Sequence, residues 1–198
     1  MALKMPNLTD EEKRMLQGEE GVVKQKCMQY LVELCQIAGA DRLVDLDGTG
    51  DMHTPGLGIV TLEEVTEYAE KGGRFAIPTF ADKSPFGIAM TPVHGWELCT
   101  VCVGKNPKMP NSDPQIHESS MQEDTFKILR KMGLITTHSC ANYLTMSYLP
   151  SVGQHCSWFE SSQQPYCNAT LGARTNFDGG FATCLLGKAP YYDMHITE

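Results

Sequence analysis

The regular alternation of helical and strand patterns most restricts what this chain can fold into. Thr9-Asp-Glu-Glu12 is a capping box, in which the Thr oxygen accepts from the third amide and the Glu reaches back. A short helix should follow and end near Gly18. A second helix is predicted from Gly21 to Ala38, with Val23, Cys27, Tyr30, Leu31, Leu34 and Ile37 recurring at three- and four-residue spacing before Gly39. Arg42-Leu-Val-Asp-Leu46 reads as a strand. Thr61-Leu-Glu-Glu64 repeats the capping box and opens a helix that closes at Gly72-Gly73. Arg74 to Thr79 reads as a strand broken by Pro78. Glu123 to Met132 reads as a helix with Phe126, Ile128, Leu129 and Met132 as apolar positions, and Leu134 to Thr137 as a buried strand. Such alternation predicts α/β layering. Three stretches are expected to be irregular or broken. They are the Gly/Asp/Pro-rich loop 47–58, the proline-rich 81–118, and a helix over 158–171 interrupted by Pro165. Residues 172–176 and the pair Gly179-Gly180 read as loop.

At 198 residues the chain is long enough for one sizeable domain or two very small ones. Its formal net charge of −8 and lack of a basic run exclude a nucleic-acid surface, which must neutralise phosphates. No window approaches the roughly 18 apolar residues that cross a bilayer. The opening MALKMPNLTDEEKRML has no apolar core of a signal peptide, so a cytoplasmic location is expected. The eight cysteines are then expected as reduced thiols or metal ligands rather than disulfides.

Three places could carry chemistry. Cys140 follows the strand ending at Thr137, where α/β sheets form ligand crevices, and a thiolate there suits zinc or an iron–sulfur cluster. The plainer reading is a buried cysteine. Cys99-Thr-Val-Cys102 could be half a zinc site or a redox pair, with Cys140 or His94 completing it, but no second CxxC or HxxxH exists. Glu160-Ser-Ser162, Asn168 and Gly172-Ala-Arg-Thr-Asn176 could clamp an anion through Arg174 and backbone amides, or could be an ordinary polar loop. His53, His94 and His155 each lack a partner at i+3 or i+4 and read as surface or core histidines.

Residues 138–180 carry a resemblance. Ser139-Cys-Ala-Asn-Tyr-Leu144, Pro150, Gly153-Gln-His155, Trp158-Phe-Glu-Ser-Ser162, Tyr166-Cys-Asn168 and Leu171-Gly-Ala-Arg-Thr-Asn176 with Gly179-Gly180 resemble aconitase X proteins. There the run is Cys-Thr-Pro-Tyr-Leu, then Trp-Ala-Glu-Ser-Ser, then Asn-Ser-Val-Leu-Gly-Ala-Arg-Thr-Asn. Leu8 to Glu12, Gly18 to Gly21, Gly39 to Leu43, Glu70-Lys-Gly72 and Pro78-Thr79 are similar to that family's opening.

The resemblance implies a three-layer α/β/α aconitase-like domain, present in part. Residues 1–198 would be the N-terminal part of a large-subunit catalytic domain. It implies an iron–sulfur hydro-lyase that dehydrates a small hydroxy acid such as phosphomevalonate or cis-3-hydroxy-L-proline. The cluster, two-iron or four-iron, would be shared with residues outside this chain, and Cys140 falls on its first cysteine. Asn168 and Ala169 fall on a substrate-binding Asn-Ser pair, so Ala169 lacks the hydroxyl. Asp82 falls near a substrate-binding Asn, and Asp51, Met52 and His53 face a Gly-Val-Ser substrate loop. Ser161, Ser162, Arg174, Thr175 and Asn176 complete the implied substrate set. Implied partners are the C-terminal half of the large subunit and a small swivelling-domain subunit, with residues 195–198 left at a strand edge. Two other readings stand beside this one. One is a non-catalytic scaffold of the same fold; the other is a zinc- or thiol-binding protein using Cys99, Cys102 and Cys140.

Overall fold

The computed structural model describes residues 4–46, 50–53, 58–76, 92–94, 124–125, 127–133, 135–136, 149–158, 163–175 and 178–191. Both capping boxes form. In α1 (Asp10–Gln17) the Glu12 amide donates to Thr9 Oγ1 at 3.2 Å and the Thr9 amide to Glu12 Oε2 at 2.8 Å. In α3 (Leu62–Glu70) Thr61 and Glu64 repeat the arrangement at 3.2 and 2.9 Å. Gly18 ends α1 with φ +84°, a conformation that costs a side chain but not glycine.

Between them, α2 (Val22–Ala38) buries Val23, Cys27, Met28, Leu31, Val32 and Cys35. Tyr30 and Leu34 pack at the edge of this stripe. Ile37, expected on the apolar face, is 76% exposed, because the helical drift carries it past the edge of the stripe. Lys26 joins α2 to α3 through both Glu64 oxygens, at 2.6 and 2.9 Å.

The sheets depart from expectation in two regions. Four short strands pair in parallel in the order β4 (Ile135–Thr136), β3 (Pro92–His94), β2 (Gly50–His53), β5 (Ser157–Trp158). The expected loop 47–58 therefore contains β2, and the irregular stretch 81–118 contains β3. Their Gly, Asp, Pro and His residues carry little strand propensity, and only neighbouring strands hold them extended. Trp158, expected in a helix, belongs to β5. A separate antiparallel pair joins β1 (Leu43–Asp45) to β6 (Lys188–Pro190), with Val44 opposite Ala189. Arg74 to Ala76 form no ladder. Two bonds pin them instead, from the Phe75 amide to Met132 O and from the Ala76 amide to Leu185 O.

The region expected as a Gly179-Gly180 loop opens the helix α4 (Gly180–Leu186). Every residue from Phe181 to Leu186 is buried. A helix apolar on all sides has no two-sided pattern to read, and two glycines at its start hide the usual cap. It packs between α2 and strands β2 and β5, with Phe181 edge-on to Phe75 at 5.6 Å. Phe181, Leu185 and Leu186 each contribute roughly 1.5–3 kcal/mol by leaving water.

β5 is covered on both faces, as parallel strands usually are. Ser157 Oγ meets Cys184 Sγ of α4 at 3.2 Å. Cys156 and Trp158 belong instead to a second cluster with Cys167 and Ala173. β5 thus lies between two apolar clusters, as expected for a strand of an α/β/α domain present in part. Among the described residues no helix is long and apolar enough to cross a membrane.

Candidate functional site

The strand order places a crevice. β2, β3 and β4 step outward in one direction, and the chain then returns to set β5 on the other side of β2. In parallel sheets, ligands bind outside the carboxyl ends of the strands where the order reverses. That point is the β2–β5 pair, where Asp51 lies opposite Trp158 and Gly50 opposite Ser157. On the other side of β2, Met52 is opposite Val93 and His53 opposite His94. The backbone therefore sets Asp51, Met52 and His53 on the strand that borders the crevice. Ser161 and Ser162 follow β5 in sequence but lie outside the described residues, as do Asp82, Asn176 and Cys140.

The free edge of β5 is covered by the segment that follows it. Gln163–Pro165 form one α-helical turn, which widens into a π-helical turn over Tyr166–Thr170. Pro165 fits because the amides of a first turn have no intrahelical acceptor. The π turn closes with the Leu171 amide on Tyr166 O at 3.0 Å, and Gly172 (φ +65°) reverses the chain. Residues 173–175 then run parallel to 154–156. The Arg174 amide donates to Gln154 O at 2.8 Å, and the Cys156 amide to Arg174 O at 2.9 Å.

Two side chains fix this return. Asn168 accepts from the Thr175 amide at 2.9 Å and donates Nδ2–H to Thr175 O at 3.3 Å. Thr175 Oγ1 accepts from the Trp158 amide and donates to Trp158 O, both at 2.7 Å. A continuous polar chain therefore runs from the π turn through the Arg-Thr segment to the end of β5. Asn168, expected to bind substrate, uses most of its amide on this clamp and keeps one N–H.

Asn168, Arg174 and Thr175 line one cavity of about 340 Å³ with His155, Cys156 and Asp178. Its apolar wall is Ala38, Ala189 and Pro190. Ala169 is exposed and not among the lining residues. Beside the cavity, Tyr191 lies under the guanidinium of Arg42 at 3.9 Å, with Arg174 5.9 Å from the same ring. The His155 ring is also 5.9 Å from it. Arg42 and Tyr191 were invisible to sequence reasoning, because β1 and β6 bring them together from opposite ends of the chain. His155, read as an isolated histidine, takes its place through its bridge to Arg174. Arg174 has no ion pair among the described residues, so this corner suits an anion.

The described cysteines do not form a metal centre. Among the described residues no three His, Cys, Asp or Glu side chains come together to hold an ion. Burial pushes the Cys27 thiol up to about 12 and, with help from the Glu12 and Asp41 charges, the Cys35 thiol to about 11. Both stay protonated and are poor ligands. The described residues thus do not fit an iron–sulfur cluster by themselves. The thiols of Cys99, Cys102 and Cys140, on which a metal reading depends, lie outside them.

Known proteins match the chain along nearly its whole length. The family described as "Aconitase X first domain" matches residues 5–198. The phosphomevalonate dehydratase large subunit of Thermococcus kodakarensis is 31% identical over 196 residues, covering 96% of this chain and 44% of that protein. The large subunit from Methanocaldococcus jannaschii is 32% identical with the same coverage of each chain. A cis-3-hydroxy-L-proline dehydratase of Hypocrea jecorina is 25% identical over 96% of this chain and 29% of its own length. The crystal structure of holo-form Thermococcus kodakaraensis aconitase X superimposes with a TM-score of 0.65 at 28% identity, over 96% of this chain and 44% of that one. The chain spans less than half the length of these relatives.

Proposed function

The chain belongs to the aconitase X family and has its aconitase-like fold, and from this we propose that it is one part of a hydro-lyase that dehydrates a small hydroxy acid. The single observation carrying this reading is the family match across residues 5–198, which includes the whole β5–Thr175 unit. The relatives it matches are dehydratases. Residues 1–198 would form the N-terminal part of a large-subunit catalytic domain. The C-terminal half and a small swivelling-domain subunit would complete a cytoplasmic hetero-oligomer.

In this reading the residues of this chain bind and orient. Arg174, with His155 beside it, holds the carboxylate or phosphate of a phosphomevalonate-like or 3-hydroxyproline-like substrate through charge-assisted hydrogen bonds. Asn168 fixes the loop through Thr175 and offers its remaining N–H to the substrate. By the family resemblance, Ser161, Ser162 and Asn176 would add further polar contacts to the substrate. By the same resemblance, Asp51, Met52, His53 and Asp82 would contribute further substrate contacts and set which hydroxy acid fits. Ala169 has no hydroxyl to offer and lies outside the cavity lining. Cys140 would supply one thiolate to an iron–sulfur cluster, two-iron or four-iron, whose other cysteines lie outside this chain. Such a cluster supplies Lewis acidity at the departing hydroxyl.

The test is anaerobic purification of the chain with and without a family C-terminal half and small subunit. Iron, sulfide and dehydration of 5-phosphomevalonate and cis-3-hydroxy-L-proline would be assayed. Iron and turnover that appear only with the partners, and vanish in Cys140→Ser, are expected. Absence of iron and turnover in every combination would sink the enzymatic reading and leave a scaffold of the same fold.

A further inference from the structure

We propose that Cys156 and Cys167 form a reversible two-electron redox site, closing to a disulfide that staples the segment leading out of β5. The two sulfurs lie 3.2 Å apart and are 1% and 0% exposed. Closing to a bond needs an approach of only about 1.1–1.2 Å. The two thiols come from elements that the fold has already locked in register. Cys156 is held by its amide on Arg174 O and precedes β5, and Cys167 sits in the π turn with its carbonyl on the Ala173 amide at 3.1 Å. A zinc ion would hold two thiolates about 3.8 Å apart and would need further ligands. None completes such a set among the described residues, so the geometry favours the bond over the metal.

Access comes from the cavity. Cys156 is one of the residues lining the 340 Å³ space beside Arg174 and His155, whereas Cys167 lies behind it in the apolar cluster with Trp158 and Ala173. A small hydroperoxide is the oxidant class that fits this space. The Cys156 sulfur attacks the terminal oxygen, the O–O bond breaks, and water or an alcohol leaves with the thiol proton. Cys156 is then a sulfenic acid. The Cys167 sulfur attacks it, the S–S bond forms and the S–O bond breaks. The departing hydroxide takes the Cys167 proton as water. Two thiols have lost two electrons to one peroxide, and a dithiol reverses the step by exchange.

The bond would close a loop containing Ser161 and Ser162, so oxidation fixes the chain between the crevice and the Asn168 clamp. This inference rests on the thiol geometry alone and holds whether or not the chain is a dehydratase.

The test oxidises the reduced 198-residue chain with stoichiometric hydrogen peroxide. Expected are a mass lower by about 2 Da, loss of two of the eight thiols, and full reversal by dithiothreitol. Chymotryptic cleavage after Tyr148, Trp158 and Tyr166 puts Cys140, Cys156 and Cys167 on separate peptides, and the Cys156 and Cys167 peptides should be recovered joined. Melting should rise by about 5–10 °C on oxidation, as expected for a short closed loop in a chain this long. Cys156→Ser and Cys167→Ser should each abolish the joined peptide. Should either variant fail to fold, the peptide map of the wild-type chain decides alone. Two separately alkylated or over-oxidised cysteines, or a link from Cys140 to either, would overturn the proposal.

Discussion

Replacing Thr175 by Val tests whether one hydroxyl holds the return segment to β5. The two side chains have nearly the same shape, so the substitution leaves packing intact and removes only chemistry. Thr175 Oγ1 accepts from the Trp158 amide and donates to the Trp158 carbonyl, each at 2.7 Å. Trp158 is 3% exposed, so water cannot easily replace the hydroxyl. Each buried backbone group left without its partner costs about 1–3 kcal/mol. The two together give at most about 2–6 kcal/mol, and about 3 kcal/mol, in the lower half, is expected because Trp158 keeps other partners. For a chain of this length that lowers the melting temperature by about 6–12 °C. The control is Thr175→Ser, which keeps the hydroxyl and should lose less than about 1.5 kcal/mol. Thermal unfolding followed by near-ultraviolet circular dichroism reads both. If Thr175→Val melts within about 2 °C of the wild type, the bonds to Trp158 contribute nothing net, and the account of this segment fails.

Other expectations follow from the core. Lys188 reaches Asp45 at 2.5 Å and the buried Glu12 carboxylate at 3.5 Å. Burial opposes its charge, but the Asp45 hydrogen bond and the Asp45, Glu12 and Glu11 charges outweigh it and raise its titration above the ordinary lysine value. A raised folded value means its contribution is complete below the unfolded lysine value of about 10.4 and is lost as pH climbs through the folded one. Stability should therefore fall more steeply above about pH 10.5 in the wild type than in Lys188→Met, as urea titrations at several pH values would detect. At pH 7, Lys188→Met should cost about 3–5 kcal/mol, because Glu12 stays buried without its cation. A Cβ at Gly179 would overlap Thr183 Oγ1, a buried hydroxyl with no hydrogen-bond partner among the described residues. Gly179→Ala should therefore lower melting by several degrees, and adding Thr183→Ala should restore part of it, because the hydroxyl goes but the Thr183 Cβ stays at 2.9 Å; no gain at all would show that the strain lies elsewhere. Cys27 and Cys35, with thiols pushed to about 12 and 11, should resist iodoacetamide at pH 8 in the folded chain and react after unfolding, by mass spectrometry of digests.

How much was legible can be argued from particular residues. Thr9, Glu12, Thr61 and Glu64 announced α1 and α3, because a capping box needs only residues three apart. The α2 stripe was legible for the same reason, apart from Ile37 at its end. The resemblance carried by Trp158 and the Leu171 to Asn176 run named the family, and the family match agrees with it. Strand β2 and helix α4 carry no such local signal. Gly50 to His53 have no strand pattern of their own, and α4 is buried on all sides.

The sequence alone therefore determined the locally encoded parts: the two capped helices, the α2 stripe, the α/β alternation and the family. Tertiary structure decided the rest. It put β2 beside β5, turned Asn168 onto Thr175, gathered Arg42, Arg174 and His155 around Tyr191, and brought Cys156 within 3.2 Å of Cys167. The physical reason is range. A cap or an amphipathic stripe is stabilised by neighbours a few residues away, whereas strand pairing and side-chain clusters form only when distant segments are already held in register.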